Sequence, residues 1–187
     1  MLMEKTISTT RAFTGNLLTV DRIEVKTSSG IKTREIVNFP EVVVVLALDI
    51  KSRMILVKQY RKAANAVLLE PVAGKIEPGE SPEAAAEREF KEETGLNLII
   101  GKRLGVVYPV PGYSTEMQYY FNGVCDMEQG EQSSDDAKKI KVVRMTGYKV
   151  MQHVYSGVRV DGKLMTALGF FLTNQIKEGG IYKCPIM

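Results

Sequence analysis

Six glutamates occupy the short stretch from residue 80 to residue 93, in a chain whose net charge is +3. Residues three and four positions apart lie on one face of a helix, so Glu89, Glu92 and Glu93 would project together. Like charges at this spacing destabilise a helix by about a few tenths of a kcal/mol per pair. Two explanations are open: a solvated helix surface with ion pairs, or a site that holds divalent cations.

Either Arg88 or a divalent cation could offset this repulsion. Arg88 can pair with Glu92 on the same helix face and could also reach back to Glu80. Mg²⁺ prefers a few carboxylate oxygens, completed by water and substrate phosphates. Gly74 lets the backbone approach closely, so the carbonyl oxygen of Ala73 could serve as a further ligand.

The order of these residues resembles the Nudix box without a gap. A random window would match its seven most restrictive positions with a probability on the order of 10⁻⁸. Phe90 is the one departure, because the family usually has an aliphatic residue there, and we expect it to affect packing only. The matching positions are Gly74, Glu80, Arg88, Glu89, Glu92, Glu93, Gly95 and Leu96.

The resemblance implies both a fold and a set of roles. In the family, the box forms a loop–helix–loop on an α/β/α sandwich, and the enzymes hydrolyse nucleoside diphosphates linked to another moiety. By this likeness Glu89 and Glu93 are metal ligands, Glu92 is a ligand or a close catalytic supporter, and Ala73 contributes its carbonyl oxygen. The implied cofactor is Mg²⁺, for which Mn²⁺ can substitute. Glu80 and Arg88 would form a salt bridge that orients the loop against the helix.

Segments outside the box resemble the ADP-ribose pyrophosphatase branch of the family. By that likeness Arg34, Arg61 and Glu116 would contact the substrate, and an arginine suits a phosphate because its fork donates in pairs. Each of the three could instead be an ordinary charge at a strand end or edge. The segments are "QYR" at 59–61, "LLEPVAGKIEPGES" at 68–81 and "PGYSTE" at 111–116.

The general base is expected in the loop "EQSSDDAKKIKV". Counting back from Ile140, Asp136 falls where the resembling enzymes place the base, with Asp135 beside it, while a second acidic position of the family falls on Lys138. Glu131 is a further candidate if the loop registers differently. A solvated loop with no catalytic part is the alternative, and catalysis could then depend on Glu92 or on a metal-bound water.

Composition excludes several classes of protein. The chain has 187 residues, with 25 basic and 22 acidic side chains, a balance too even to indicate a nucleic-acid partner. No apolar stretch approaches the roughly 20 residues that a membrane-spanning helix needs, and the first ten residues lack the apolar core of a signal peptide. Cys125 and Cys184 have no metal-type spacing. We therefore expect a cytoplasmic protein with no membrane partner.

The order of strands and helices predicts a mixed α/β fold. The resemblance implies that this fold is a Nudix-type α/β/α sandwich with a mixed sheet, plus a small N-terminal β-segment. The sequence pattern predicts a polar hairpin over residues 17–39 and a strand buried on both faces over residues 41–50. Helices are predicted over 81–94, 148–155 and 163–177. Residues 1–39 are too short and polar to bury a core alone. In the resembling enzymes such a segment packs across a two-fold partner and contributes to its substrate site. The resemblance therefore implies a dimerisation and substrate-contacting segment over 1–39, a Nudix domain over 40–187, and a homodimer in which Arg34 serves the partner's site.

Several functions remain open at this stage. The first is Mg²⁺-dependent hydrolysis of ADP-ribose to AMP and ribose 5-phosphate. The second is the same chemistry on another nucleoside diphosphate sugar, such as GDP-mannose, which the box does not distinguish. The third is a non-catalytic nucleotide-binding module, against which the three intact box carboxylates argue. Hydrolysis of oxidised nucleoside triphosphates is disfavoured by the N-terminal segment and by "PGYSTE".

Overall fold

The computed structural model describes residues 3–126, 130, 132 and 139–177. In these residues the chain forms β1 (Lys5–Thr14), β2 (Thr19–Thr27), β3 (Gly30–Asn38), β4 (Val42–Leu48), β5 (Met54–Arg61), β6 (Ala66–Glu70), β7 (Val72–Lys75), α1 (Pro82–Thr94), β8 (Leu98–Val107), β9 (Gln118–Cys125), β10 (Ile140–Met145), α2 (Gly147–Tyr155) and α3 (Gly162–Lys177). Two compact units result: Met1–Glu41 with Val107–Gln118, and Val42–Val106 with Tyr119–Met187.

The first unit contains a three-stranded antiparallel sheet in the order β1-β2-β3. The predicted hairpin corresponds to β2 and β3, which turn at Gly30, whose φ of 108° suits glycine. The structure adds β1, which the sequence did not predict as a separate strand because its residues are mostly polar. All ten residues of β1 are exposed, and its ladder with β2 is interrupted by two register shifts.

The second unit is built on a sheet in the order β10-β5-β4-β9-β8. The segment 66–75 pairs first with β5, as β6, and then with β4, as β7. Pro71 lies between β6 and β7 and has no N–H to donate to a ladder, so the chain changes partner at this residue. The apolar run of this segment would by itself predict one continuous strand. Instead, β6 and β7 separate the two central strands over part of their length.

Helices cover both faces of this sheet. The central strand β4 is buried along nearly its whole length, and Val43, Val45 and Ala47 belong to a core that includes Phe90 of α1. The alternate residues of β4 point to the opposite face, where α3 contacts β4 and β6. The predicted mixed α/β sandwich with a small N-terminal β-sheet is confirmed. Within the described residues, no helix combines the length and apolar character needed to cross a bilayer.

Candidate active site

Helix α1 carries the glutamates and begins and ends as its sequence predicts. The Ser81 hydroxyl accepts a hydrogen bond from the Ala84 N–H, and Pro82 occupies the first turn. Gly95 ends the helix in the left-handed conformation, with a φ of 72°. Phe90 is fully buried in the core. That packing fixes the rotation of α1 and so determines which glutamates point toward β7.

Arg88 connects the helix to the loop that precedes it. Its Nε and Nη2 donate to the two carboxylate oxygens of Glu80, at 2.9 and 2.8 Å. Nη2 also donates to the Lys75 carbonyl at 2.9 Å, and Nη1 donates to Glu89 at 2.9 Å and to Glu92 at 3.4 Å. The hydrogen bonds from Arg88 lower the pKa of Glu80 to about 2. One guanidinium thus ties three glutamates and the β7–α1 loop together.

Gly74 leaves the space that the Glu89 carboxylate fills. A Cβ at position 74 would lie 1.9 Å from the carboxylate carbon of Glu89, far inside any permitted contact. Burial raises the pKa of Glu89, as do the charges of Glu92 and Glu80, while Arg88 acts in the opposite direction. The glycine therefore brings the backbone of β7 directly against a partly desolvated carboxylate.

Glu93 is the least compensated acid in this region. Its side chain is 8% exposed, and its Oε2 has no hydrogen-bond partner in the described part of the structure. Burial and the negative charge of Glu89 raise its pKa to about 8, against the attraction of Arg61 and a backbone hydrogen bond from Ala73. A buried carboxylate oxygen without a cation or a hydrogen-bond donor is costly in free energy. Such a group is a candidate ligand for a bound cation.

The oxygen donors at this position fit a hard divalent cation. The donors are the unpartnered oxygen of Glu93, the Glu89 carboxylate against Gly74, and the carbonyl of Ala73 beside it. Over residues 3–126, 130, 132 and 139–177, no three acidic, histidine or cysteine side chains converge into a ready metal cage, because Arg88 holds Glu89 and Glu92. Mg²⁺ is commonly held by only one or two carboxylates together with water and substrate phosphates, so an open site of this kind suits it.

A second cluster of charges lies at the end of β5. Arg61 donates from Nε and Nη2 to the two carboxylate oxygens of Glu70, at 2.7 and 2.6 Å, and Lys163 lies 3.1 Å from the same carboxylate. Lys163 also pairs with Asp161 at 2.8 Å. We call Arg61, Glu70, Asp161 and Lys163 the charged quartet. Of these four residues, only Arg61 was predicted from the sequence. A glutamate inside the apolar "VLLEPV" indicates a buried charge that needs a partner, whereas nothing in the sequence marks Lys163, which is remote along the chain.

The remaining predicted site residues lie elsewhere. Arg34 is on β3 in the first unit, where its Nε donates to Glu4 at 3.1 Å. Glu116 belongs to the same unit and accepts from the Gln118 amide at 2.7 Å.

The candidate bases Asp135, Asp136 and Glu131 lie outside the described residues. Two described residues of that loop contact the end of α1: the Gly130 N–H donates to the Gly95 carbonyl at 2.8 Å, and the Gln132 amide donates to the Glu93 carbonyl.

Comparison with known proteins agrees with this geometry. Residues 38–166 match the family model described as NUDIX domain. The chain is 32% identical over 180 residues to the ADP-ribose pyrophosphatase of Bacillus subtilis (strain 168), covering 95% of each protein. It is 31% identical over 171 residues to the methanol dehydrogenase activator of Bacillus methanolicus, covering 89% of this chain and 91% of the relative.

A solved structure described as an ADP compounds hydrolase superposes with a TM-score of 0.84, over 97% of this chain and 98% of that chain. The two sequences are 20% identical, so this likeness concerns the fold. The family match spans most of the chain and contains the glutamate helix, Gly74 and Arg61. The chain belongs to the NUDIX family and is a Nudix hydrolase.

Proposed function

We propose that this protein hydrolyses the diphosphate bond of ADP-ribose, in a Mg²⁺-dependent reaction that yields AMP and ribose 5-phosphate. The observation that carries the proposal is the buried Glu93 carboxylate, whose Oε2 has no hydrogen-bond partner among the described residues, next to Glu89, which lies against Gly74. ADP-ribose is supported by two relatives that are ADP-ribose pyrophosphatases, at 32% identity over 95% of this chain and at 31% over 71%.

Glu89, Glu93 and the Ala73 carbonyl would hold the metal, with Glu92 as a further ligand or close supporter. When bound, Mg²⁺ neutralises the diphosphate, polarises phosphorus and lowers the pKa of an attacking water. Mn²⁺ can replace it, because both ions accept oxygen ligands.

The chain's own residues position the reactants. Arg88 and Glu80 hold the β7–α1 loop against the helix, and Arg88 also donates to the Lys75 carbonyl at the end of β7, the strand that contains Ala73. Arg61 is proposed to bind a phosphate through its guanidinium, and Arg34 and Glu116 to contact the rest of the substrate. Glu92, which is 35% exposed, is accessible to accept the proton of the attacking water. Asp136, with Asp135 beside it, is the alternative proton acceptor.

We further propose a homodimer formed through the three-stranded sheet. Strand β1 is an exposed edge strand that carries Ile7 and Phe13, which are 49% and 55% exposed. Exposed edges of this kind pair readily with another chain. Light scattering at micromolar concentration should give twice the chain mass, and a monomer mass would count against the proposal. A cytoplasmic location without a nucleic-acid partner stays a prediction.

Product analysis by chromatography tests the proposed reaction. The protein is incubated with Mg²⁺ and a panel of ADP-ribose, GDP-mannose, UDP-glucose, diadenosine polyphosphates and nucleoside triphosphates, with EDTA and Glu93→Gln as controls. We expect dominant conversion of ADP-ribose to AMP and ribose 5-phosphate, abolished by EDTA.

Another outcome would redirect the proposal. Preference for GDP-mannose would keep the chemistry and change the substrate; relatives that are GDP-mannose pyrophosphatases, at 26% identity over 138 residues, make it the second candidate. If no compound in the panel is cleaved, the result would favour a non-catalytic nucleotide-binding module.

A further inference from the structure

The charged quartet is built to hold one guanidinium in one orientation. Glu70, at its centre, is completely buried, whereas the side chain of Arg61 is 41% exposed. A buried carboxylate must be paired to remain charged, and here both oxygens accept from Arg61 while Lys163 lies 3.1 Å away. The exposed arginine is therefore anchored at a point from which water is excluded.

The anchor leaves a defined part of Arg61 for a ligand. A guanidinium carries five N–H donors in a rigid fork. Glu70 takes the edge formed by Nε and Nη2, which leaves the edge formed by Nη1 and Nη2 to donate in parallel to two oxygens of a phosphate. Besides Glu70 and Asp161, the negative charge of Glu93 on the glutamate helix also acts on Arg61.

Lys163 adds a connection to the third helix. Its ammonium group lies between Glu70 and Asp161, and Asp161 accepts from the backbone N–H groups of Lys163 and Leu164 at 2.9 and 3.2 Å. The start of α3 is thereby linked to the β5–β6 hairpin. Arg61 and Lys163 both pair with the single negative charge of Glu70. Because that charge is shared, it does not fully neutralise Arg61, which keeps its attraction for an anion.

We propose that Glu70 and Lys163 are positioning residues that orient the free edge of Arg61 for a substrate phosphate. The inference rests on the proposed function for the identity of the substrate. Without Lys163, Arg61 is the one cation of the quartet that pairs with Glu70. The charge of Glu70 then neutralises Arg61 more completely, so Arg61 attracts a phosphate less strongly. Shortening Glu70 breaks the two-point anchor. Both changes affect binding through Arg61, and neither residue touches the substrate.

Steady-state kinetics with ADP-ribose and Mg²⁺ test this through the separation of KM from kcat. For Lys163→Met we expect KM to rise about threefold to thirtyfold, the usual range for a coupled residue, with kcat changed less than about twofold. Lys163→Arg should restore KM. Lys58→Met, at an exposed lysine of the same strand β5, is the matched control and should leave KM at the wild-type value. Glu70→Asp keeps the charge but shortens the side chain, and it serves as the second variant because it tests the anchor without removing a buried charge.

A double-mutant cycle separates positioning from direct contact. In an Arg61→Met background, Lys163→Met should produce no further change in KM, because its effect passes through Arg61. An equal rise in KM in both backgrounds, or wild-type KM for both Lys163→Met and Glu70→Asp, would overturn the inference.

A readout without substrate distinguishes this inference from the proposed function. The Nε–H resonance of Arg61, assigned by its loss in Arg61→Met, should exchange slowly with water in the wild-type protein and rapidly in Glu70→Asp. If the resonance behaves this way and ADP-ribose is not hydrolysed, the proposed substrate is wrong while the anchor stands. If it exchanges rapidly in the wild-type protein, the anchor itself is refuted.

Discussion

The charged quartet and the side of α1 that carries Glu89 and Glu93 both bury a glutamate, yet the two glutamates are held in opposite ways. Burial alone would raise the pKa of Glu70, but the hydrogen bonds from Arg61 and the charge of Lys163 keep it below its ordinary value. Glu93 is slightly more exposed than Glu70, and its pKa is raised to about 8. Partners, and not the degree of burial, decide whether each carboxylate stays charged.

This difference separates a structural acid from an acid prepared for a ligand. Glu70 receives its cations from the chain, which gains a rigid connection between β5, β6 and α3. Glu93 lies close to another carboxylate and has an oxygen that no described group satisfies. A divalent cation supplied from solution would complete this second site in the way that Arg61 and Lys163 complete the first.

The largest expected effect follows from removing the charge of Glu93. Glu93→Gln should lower kcat by at least about a hundredfold, since even residues that only support metal ligands typically cost ten- to a hundredfold. Initial rates with ADP-ribose and Mg²⁺, together with circular dichroism to verify folding, measure the effect. Near-wild-type turnover in a folded variant would refute the assignment of Glu93 as a metal ligand.

Filling the space at Gly74 should have a smaller effect on the same site. The Cβ of Gly74→Ala would displace the Glu89 carboxylate, which lies 1.9 Å from that position, and we expect about a ten- to hundredfold loss of turnover. A higher Mg²⁺ concentration should recover part of it. Gly169→Ala on α3, where an added Cβ meets nothing within 4 Å, is the matched control. If both variants retain full activity, the close approach of β7 to Glu89 has no functional importance.

The same chemical change should have opposite effects on stability at the two glutamates. Glu70→Gln leaves Arg61 and Lys163 without their shared anion, and we expect the free energy of unfolding to fall by about 1–3 kcal/mol. Glu93→Gln removes an uncompensated buried charge, so in EDTA at pH 8 its free energy of unfolding should equal or exceed that of the wild type. Urea denaturation measures both. A loss of stability in Glu93→Gln as large as in Glu70→Gln would contradict the comparison.

The pH dependence of stability should sharpen the comparison further. The pKa of Glu93 rises from 4.5 to about 8 on folding, so between these values the folded protein holds a proton that the unfolded chain releases. The free energy of unfolding of the metal-free wild type should therefore fall with rising pH, by up to about 1.4 kcal/mol per pH unit from this group. The advantage of Glu93→Gln over the wild type should accordingly grow from pH 5 to pH 8.

Glu70 titrates in a different range, which makes it the internal control. Because its pKa is lowered on folding, its contribution is present above the ordinary value and is lost as the pH falls through the folded value. Between pH 5 and pH 8 the free energy of unfolding of Glu70→Gln should thus change with pH at the same rate as that of the wild type. If the free energy of unfolding of Glu93→Gln has the same pH dependence as that of the wild type, Glu93 is already ionised in the folded protein.

Much of the box could be predicted because its determinants are local. Ser81, Pro82 and Gly95 set the ends of α1 through backbone geometry, and helical spacing alone places Glu89, Glu92 and Glu93 together. The buried strand β4 followed from its β-branched run. Strand β1 and the change of partner at Pro71 were missed, because a strand is stabilised by distant neighbours more than by its own residues.

The sequence by itself determined which residue types gather on α1 and that Gly74 must precede them, since spacing and backbone sterics act within a few residues. Only the tertiary structure decided which buried glutamate has its negative charge balanced by neighbouring cations. Glu70 and Glu93 have the same side chain and both are buried. Arg61 and Lys163 keep the pKa of Glu70 low despite its burial, whereas burial and the charge of Glu89 raise the pKa of Glu93. Lys163 reaches Glu70 from a helix that lies far along the chain, and electrostatic interactions depend on distance in space and on burial.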